Sequence, residues 1–162
     1  VEGCRVTRIF PDKIAYVIDE RVALATIVVS NHLFEVDRAG NVLRELQPDQ
    51  EHTGPLITEI ADITSVEVGT RLTSPALHRA LDVWCAFVQT EMAKQVTVSE
   101  ICVAQQNRVC MYCDELQCEI RWGRDDYEKQ AMKLDIFWQN LAGHIPYNEY
   151  VDLRFANDVA CR

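Results

Sequence analysis

The chain of 162 residues lacks several features that mark well-known functional classes. Lys and Arg total 16 against 25 Asp and Glu, so the net charge is −9, and no run of five basic residues is present. Binding to a phosphate backbone needs such positive charge, and a nucleic-acid partner is therefore not expected. No apolar run approaches the roughly 20 residues that a membrane-spanning helix needs. The first residues also lack the charged start and apolar middle of a signal peptide.

Internal repeats and low-complexity segments are absent as well, whereas apolar residues make up 48% of the chain. That share is enough for a packed core, and the length suits one ordinary domain or one domain plus a fragment of another. Because the chain begins inside strand-like sequence, we expect it to be a fragment whose N-terminal part is missing.

Cysteine is the residue type present in unusual number, with seven copies. Three of them are close in sequence (Cys110, Cys113, Cys118), and the other four are scattered (Cys4, Cys85, Cys102, Cys161). A zinc ribbon or finger would need a second ligand pair, which is missing. No cysteine or histidine lies in a recognisable nucleophile motif. We therefore favour small buried side chains, with a disulfide as one option, over a structural metal or a catalytic thiol, and we expect no cofactor.

The first half of the chain has the pattern of strands joined by turns. "CRVTRIF" and "KIAYVIDERVALATIVV" are predicted strands that meet at the turn signal Pro11-Asp12. A second hairpin is predicted for "HLFEVDRAGNVLREL", with Gly40 in its turn, where a positive φ is easiest for glycine. A polar loop over 48–55 then leads to the short strand "PLITEI".

Two helices are predicted in the second half. The first spans 75–94, with Ser74 as N-cap and Pro75 at the first helical position. Its apolar positions recur at steps of three and four residues: Leu77, Leu81, Trp84, Val88 and Met92. The second helix spans 127–141, is capped by Asp125 or Asp126, and is ended by Gly143. Its apolar face consists of Tyr127, Ala131, Leu134, Trp138 and Leu141, and we expect Trp84, Leu134 and Trp138 in the core.

Three strands between the helices, "TVSEICVA", "RVCMYCDE" and "QCEIRWG", predict a meander. Strands and helices in this irregular order indicate an α+β fold, in which an antiparallel sheet is covered by two helices. With a turn at 114–117, Cys113 and Cys118 would face each other across the hairpin, and we predict a disulfide between them if the strand geometry permits it.

The last segment, 149–162 or "EYVDLRFANDVACR", has the pattern of a final strand. Val151, Leu153 and Phe155 alternate with Asp152 and Arg154, which is the period of a half-buried strand. A strand that ends a chain leaves an edge, and an unpaired edge recruits strands from partners. The pattern thus predicts a protein-binding edge at the C-terminus.

Four sequence stretches, in order, resemble the extracytoplasmic region of the FtsQ/DivIB family of bacterial division proteins. "VTRIFPDKIAYVIDERVALA", through Phe10-Pro11 and Glu20-Arg21, is similar to the end of that family's POTRA domain. "HLFEVDRAGNVL", through Val36, Asp37 and Gly40, is similar to the hairpin that opens its β domain. "CEIRWGRDDYEKQAMKLDIFWQNL", through Gly123, Asp126 and Lys133, resembles the strand and helix before the last strand. "YVDLRF" resembles the closing strand and is the most specific of the four.

Two features depart from the family pattern. The density of cysteines, including Cys85 in the first helix, is not typical of the family. Phe155 stands where many members have a tyrosine after the terminal Leu-Arg, so any partner contact through that hydroxyl is lost here.

The resemblance implies a POTRA fragment at 1–25, a β domain at 26–162 and one membrane anchor upstream. It implies no enzyme, but a scaffold at the periplasmic face of the inner membrane at the septum, which binds small bitopic coiled-coil proteins of the FtsB and FtsL types and links early and late division components. The expected partner-binding residues form one segment: Tyr150, Val151, Asp152, Leu153, Arg154, Phe155, Ala156 and Asn157.

Within that segment, Arg154 would pair with an acidic partner and Phe155 would act as an apolar anchor. The alternatives are a solvated or internally paired charge for Arg154 and simple core packing for Phe155. At the level of the whole protein, one alternative is a POTRA-containing, chaperone-like module of outer-membrane assembly or secretion, but repeated POTRA units and a long series of amphipathic strands are not seen. A second is an enzyme that uses the cysteines and histidines.

Overall fold

The structure, a computed structural model, describes residues 2–104, 108–146, 149–156 and 158–162. Six strands precede the first helix: β1 (Gly3–Ile9), β2 (Lys13–Asp19), β3 (Ala25–Val29), β4 (His32–Val36), β5 (Val42–Leu46) and β6 (Leu56–Thr58). The helix α1 (Pro75–Phe87) and a short 3-10 helix (Met92–Lys94) follow. The remaining elements are β7 (Val98–Ala104), β8 (Arg108–Cys113), β9 (Glu119–Trp122), α2 (Tyr127–Asn140), β10 (Tyr150–Asp152) and β11 (Ala160–Cys161).

The described strands form two sheets. β1 and β2 make an antiparallel hairpin, and the other nine form one sheet in the order β11-β10-β9-β8-β7-β6-β3-β4-β5. The predicted α+β class and the two helices are confirmed. The sheet is mostly antiparallel rather than wholly so, because β3/β6, β6/β7 and β9/β10 are parallel pairs. Parallel neighbours need a crossover connection, and α1 and α2 lie in the connections from β6 to β7 and from β9 to β10.

The helix α1 begins as predicted and ends earlier. The Ser74 side chain accepts a hydrogen bond from the Leu77 N–H at 3.0 Å, and Pro75 is the first helical residue. The helix stops at Phe87 because Thr90 starts a new turn: its hydroxyl donates to the Phe87 carbonyl at 2.8 Å and accepts from the Ala93 N–H at 3.1 Å. The predicted single helix to residue 94 is therefore a helix followed by a separate 3-10 turn.

The helix α2 has a different kind of start. Asp126 is its N-cap but adopts a left-handed conformation with φ 52°, and its side chain makes no capping hydrogen bond. At the other end, Gly143 has φ 75° and its N–H donates to the Trp138 carbonyl at 3.0 Å, as a C-terminal glycine does. Both predicted ends thus lie within a residue of the observed ones.

Both helices pack on one face of the nine-stranded sheet. The core combines the inner sides of the helices (Leu77, Leu81, Phe87, Leu134, Trp138) with one side of the strands (Ile27, Ile57, Ile101, Met111, Ile120, Val151). Of the three residues expected in the core, Leu134 and Trp138 are buried. Trp84 is only partly buried at the margin, where its ring N–H donates to the Leu24 carbonyl at 3.1 Å.

The opposite side of the sheet, which we call the polar face, carries the alternate residues of the same strands. Strand register groups on it mainly charged, hydroxyl and thiol side chains: Thr26, Glu35, Thr58, Glu100, Cys102, Cys110, Tyr112, Glu119, Arg121, Tyr150 and Asp152. Period-two alternation is what divides these strands between an apolar side and a polar side.

The β1–β2 hairpin differs from the large sheet in its burial. Most of its large apolar side chains are exposed: Val6, Ile9, Ile14, Tyr16, Val17 and Ile18. The stretch predicted as one strand after Pro11 is two strands, β2 and β3, that belong to different sheets. The division at residue 25 between a POTRA fragment and a β domain stays a prediction.

Strand register also bears on the cysteines of the β8–β9 hairpin. The pairing of β8 with β9 runs through Cys110 with Arg121 to Met111 with Ile120, and two further steps in the same register would bring Cys113 opposite Cys118. Both are buried in the core cluster, and neither forms a disulfide in this structure. Among the described residues, no group of three or more His, Cys, Asp or Glu is arranged to hold a metal ion.

Replacing Trp138 by Ala should lower the free energy of unfolding by about 3 to 5 kcal/mol, since a large buried aromatic leaves a cavity. Trp138 is 5% exposed, and its ring N–H also donates to the Gln95 side chain at 3.2 Å. Denaturant unfolding measures the loss. Met132→Ala, on the exposed side of the same helix, is the matched control and should change stability by less than about 0.5 kcal/mol. Equal midpoints for Trp138→Ala and the unchanged chain would contradict this packing.

The Cys113–Cys118 bridge remains a prediction for protein made in an oxidising compartment. Directly opposed residues of an antiparallel pair have Cα atoms roughly 4.5 to 5.5 Å apart, inside the range of disulfides. Alkylation of the denatured, unreduced chain followed by peptide mapping should leave Cys113 and Cys118 unmodified and linked. Seven alkylated cysteines would rule the bridge out.

Candidate partner-binding site

The predicted partner-binding segment is not one continuous edge strand. β10 contains only Tyr150–Asp152, runs parallel to β9 on one side and pairs antiparallel with β11 on the other. The chain bends at Phe155 and Ala156 and returns, so that β11 is the outer strand. The expectation of one final strand over 149–162 with an unpaired edge is therefore wrong for Tyr150–Asp152, because the last residues of the chain pair with this strand. Asn157 lies outside the described residues.

Alternation of faces holds only for the first part of the segment. Val151 and Leu153 are buried on the helix side, as predicted. Asp152, expected to face solvent, is 2% exposed, and Phe155 is 52% exposed because the chain has left the strand before it. The core-packing alternative for Phe155 is thus not what the structure shows.

An ion pair between the buried carboxylate of Asp152 and the half-exposed guanidinium of Arg154 forms within the segment. Arg154 Nε donates to both carboxylate oxygens of Asp152, at 2.9 and 3.0 Å, and the Arg154 backbone N–H donates to Oδ1 at 3.0 Å. Burial raises the pKa of Asp152, but the hydrogen bonds from Arg154 outweigh burial and hold that pKa below its usual value. The Arg154 side chain keeps 46% of its surface exposed. Arg154 is therefore paired inside the chain and is also accessible to a partner.

Lys133 of α2 fixes the connection between β10 and β11. Its Nζ donates to the backbone carbonyls of Leu153 at 2.7 Å, Phe155 at 2.5 Å and Asp158 at 3.1 Å. Burial of the ammonium lowers the pKa of Lys133, although Asp152 and Asp158 act in the opposite direction. The sequence pattern gave Lys133 no role at this site, since its sequence distance of 20 to 25 residues from these carbonyls carries no local signal.

The neighbouring strand β9 supports β10 from the polar face. The guanidinium of Arg121 lies over the Tyr150 ring, 4.0 Å from its centroid, and pairs with Glu119. The Tyr112 hydroxyl donates to the same Glu119 carboxylate at 3.0 Å. Burial raises the pKa of Glu119, but Arg121 and Tyr112 lower it by more. The strands beneath the site are thus connected by charge and ring contacts as well as by backbone.

β11 is the element that the sequence pattern missed. Cys161 lies opposite Val151 and Ala160 opposite Asp152, and the Arg162 N–H donates to the Tyr150 carbonyl at 3.1 Å. In the part of the chain that the structure describes, the strand order ends at β11. The Asn-Asp pair at 157–158 is a turn-forming signal that could have indicated the return.

A small cavity of about 160 Å³ lies beside this terminus. Residues of α2 and of the chain bend line it, among them Lys129, Lys133, Arg154, Phe155 and Ala156.

No helix in the described part of the chain is long and apolar enough to cross a membrane.

The Asp152–Arg154 pair should make stability depend on pH in a defined direction. The pKa of Asp152 is lowered by folding, so its contribution is present above the unfolded value of about 3.9 and is lost as pH falls through the folded value. Asp152→Asn should cost about 1 to 3 kcal/mol at pH 7. Denaturant unfolding at pH 7, 5, 4 and 3 should show the difference between the two chains shrinking below pH 4. Because both chains carry the same other carboxylates, a difference independent of pH would refute the assignment.

Comparison with known proteins gives one family and two relatives. The family model described as "Cell division protein FtsQ/DivIB, C-terminal" matches residues 25–154. Cell division protein FtsQ of Syntrophotalea carbinolica is 24% identical over 152 residues, which are 94% of this chain and 53% of that protein. Cell division protein FtsQ of Geotalea daltonii is 25% identical over 161 residues, 98% of this chain and 57% of that protein.

The chain spans about half the length of the curated relatives it matches. The family model covers most of the chain. The matched residues include both helices and every strand of the large sheet except β11. On this match, the chain belongs to the FtsQ/DivIB family of cell division proteins.

Proposed function

We propose that this chain is a non-enzymatic scaffold of the bacterial division septum, which binds FtsB-like and FtsL-like bitopic proteins at its C-terminal end. In this role it lies on the periplasmic side of the inner membrane and links early and late components of the division machinery. The observation that supports this most is the outer strand β11 beside the exposed Phe155 and Arg154, in a chain whose relatives are named as cell division proteins.

The proposed mode of binding is strand addition to the outer side of β11. An incoming strand pairs its backbone N–H and C=O groups with those of an edge strand, which gives affinity without a deep pocket. The edge is held in place because β10 is paired on both sides and Lys133 fixes the connecting bend. A partner strand would therefore meet a surface that needs little rearrangement.

Side chains beside the edge select the partner. Phe155 offers an exposed ring next to the cavity of about 160 Å³, and exposed aromatic anchors contribute strongly to protein interfaces. Arg154 offers a positive group, and a guanidinium has five N–H donors, more than the Asp152 carboxylate alone uses. An acidic segment with an apolar side chain is the partner chemistry that these two residues favour.

The eight predicted partner-binding residues then divide by role. Arg154, Phe155 and Ala156 are exposed and would make direct contacts. Of the four before them, Tyr150, Val151 and Asp152 lie in the paired strand β10. The Leu153 N–H donates to the Arg121 carbonyl at 2.9 Å, which continues the contact with β9. Asn157 stays a prediction of sequence alone.

Phe155→Ala should weaken binding to the extracytoplasmic part of the cognate FtsB-like protein by about 1 to 2 kcal/mol, roughly 5- to 30-fold in Kd. Titration calorimetry measures the change. Phe10→Ala is the matched control, since Phe10 is 78% exposed on the β1–β2 hairpin and should leave Kd unchanged. Arg154→Glu is a poor probe of binding, because it would place a second carboxylate against the buried Asp152. Arg154→Lys is the better substitution at this position, because it keeps the positive charge.

Hydrogen exchange tests the strand addition separately. Backbone amides in 159–162 should gain protection when the partner binds, whereas those of β5 at the far edge should not. An affinity unchanged in Phe155→Ala, together with unchanged exchange in 159–162, would remove this end of the sheet from the binding site.

A further inference from the structure

Two cysteines that are eight residues apart in sequence lie directly opposite each other in the sheet. The antiparallel register of β7 and β8 pairs Cys102 with Cys110. Ile101 and Val103 beside Cys102, and Val109 and Met111 beside Cys110, belong to the core, so the two thiols lie on the polar face. Cys110 is 4% exposed and Cys102 is partly exposed. Only Cys102 therefore offers its sulfur to a reagent from solvent.

We propose that Cys102 and Cys110 are an oxidisable pair that forms a disulfide across the polar face, independent of Cys113 and Cys118 on the buried face. Opposed Cα atoms in an antiparallel pair are roughly 4.5 to 5.5 Å apart, within the range that disulfides span. Opposed Cβ atoms are roughly 4.5 to 5.5 Å apart, against about 3.5 to 4.5 Å in a disulfide. Closure draws the strands together slightly, which makes such a bond readily reducible.

The surroundings of the pair favour the protonated form of both thiols. Burial, and then the carboxylate of Glu59, raise the pKa of Cys102 to about 12, and the Cys102 thiol donates to Glu59 Oε2 at 3.2 Å. Burial also raises the pKa of Cys110. The thiolate is the reactive form, so oxidation in neutral solution should be slow and should accelerate with rising pH.

The oxidant is a disulfide: oxidised glutathione or a thiol–disulfide oxidoreductase. The Cys102 thiol gives up its proton and attacks one sulfur of that disulfide, which breaks the S–S bond and releases one thiol. The Cys110 thiol then gives up its proton and attacks the mixed disulfide at Cys102, which releases the second thiol. In total, the pair loses two electrons and two protons, and the oxidant becomes two thiols.

Peptide mapping of this chain tests the proposal directly. The chain is incubated with oxidised glutathione, denatured in N-ethylmaleimide without reductant, and cut with trypsin. Arg108 separates the two cysteines, so the bridge should join peptide 95–108 to peptide 109–121. Treatment with a dithiol reductant before alkylation should release the two peptides. Alkylated Cys102, or Cys102 that carries glutathione with no link to 109–121, would overturn the proposal.

Two variants identify the partner of Cys102 within peptide 109–121, which also holds Cys113 and Cys118. The Cys110→Ala variant should lose the linkage, and a Cys113→Ala/Cys118→Ala variant should keep it. A linkage that persists in Cys110→Ala and is lost in the double variant would assign the bridge to Cys113 or Cys118 and overturn the proposal. Circular dichroism confirms that each variant is folded, and the mapping of the unchanged chain stands even if a variant is not.

A Glu59→Gln variant tests whether the Glu59 carboxylate controls the reactivity of the Cys102 thiol. Removal of the carboxylate beside Cys102 should speed alkylation of that thiol in the native chain several-fold at pH 8. Cys4, exposed on the β1–β2 hairpin, is the internal control and should react at an unchanged rate. Equal rates at Cys102 in both chains would contradict the role given to Glu59.

Discussion

Burial of one side of the sheet is the constraint on which the rest of this structure depends. Both helices pack on the same face, so each strand must alternate between apolar and polar residues. Carboxylates on the polar face are retained because each has a partner: Glu35 is 3% exposed and is paired with Arg44, as Asp152 is with Arg154. A buried carboxylate without such a partner would carry a large desolvation cost. The polar face is thereby ordered as well as hydrophilic.

The crossover connections decide which strands become neighbours. Helices in the connections allow β6 to lie beside β7 and β9 beside β10 in parallel, which places the C-terminal strands at one end of the sheet and the β3–β5 hairpins at the other. The proposed binding edge is consequently built from the last residues of the chain, whereas its support comes from α2 and β9. A substitution of Lys133 in α2 would remove its hydrogen bonds to three backbone carbonyls of the bend that leads to the edge strand.

The same register organises the cysteines. Across the polar face, one row runs through Thr58, Cys102, Cys110, Arg121 and Asp152. The oxidisable pair therefore lies in the same row as Asp152, whose ion pair with Arg154 is part of the proposed binding site. The pairing of Cys110 on β8 with Arg121 on β9 connects the cysteine pair to the strand that supports the C-terminal edge.

The sequence by itself determined the elements that have local causes. Ser74-Pro75 marked the start of α1, and Gly143 marked the end of α2. The spacing of apolar residues indicated the meander β7–β9 and the burial of Leu134 and Trp138. These signals lie within one helical turn or one strand, where backbone geometry and side-chain spacing act directly.

Only the tertiary structure decided what depends on distant partners. The return of the chain as β11, the burial of Asp152 and the three bonds from Lys133 join residues whose pairing is set by packing of the whole sheet. Pairing of Cys102 with Cys110 likewise follows from register, since spacing along the chain does not tell which strand residues will face each other. Local propensity cannot carry such information, because the energy that selects these contacts appears only once the sheet is assembled.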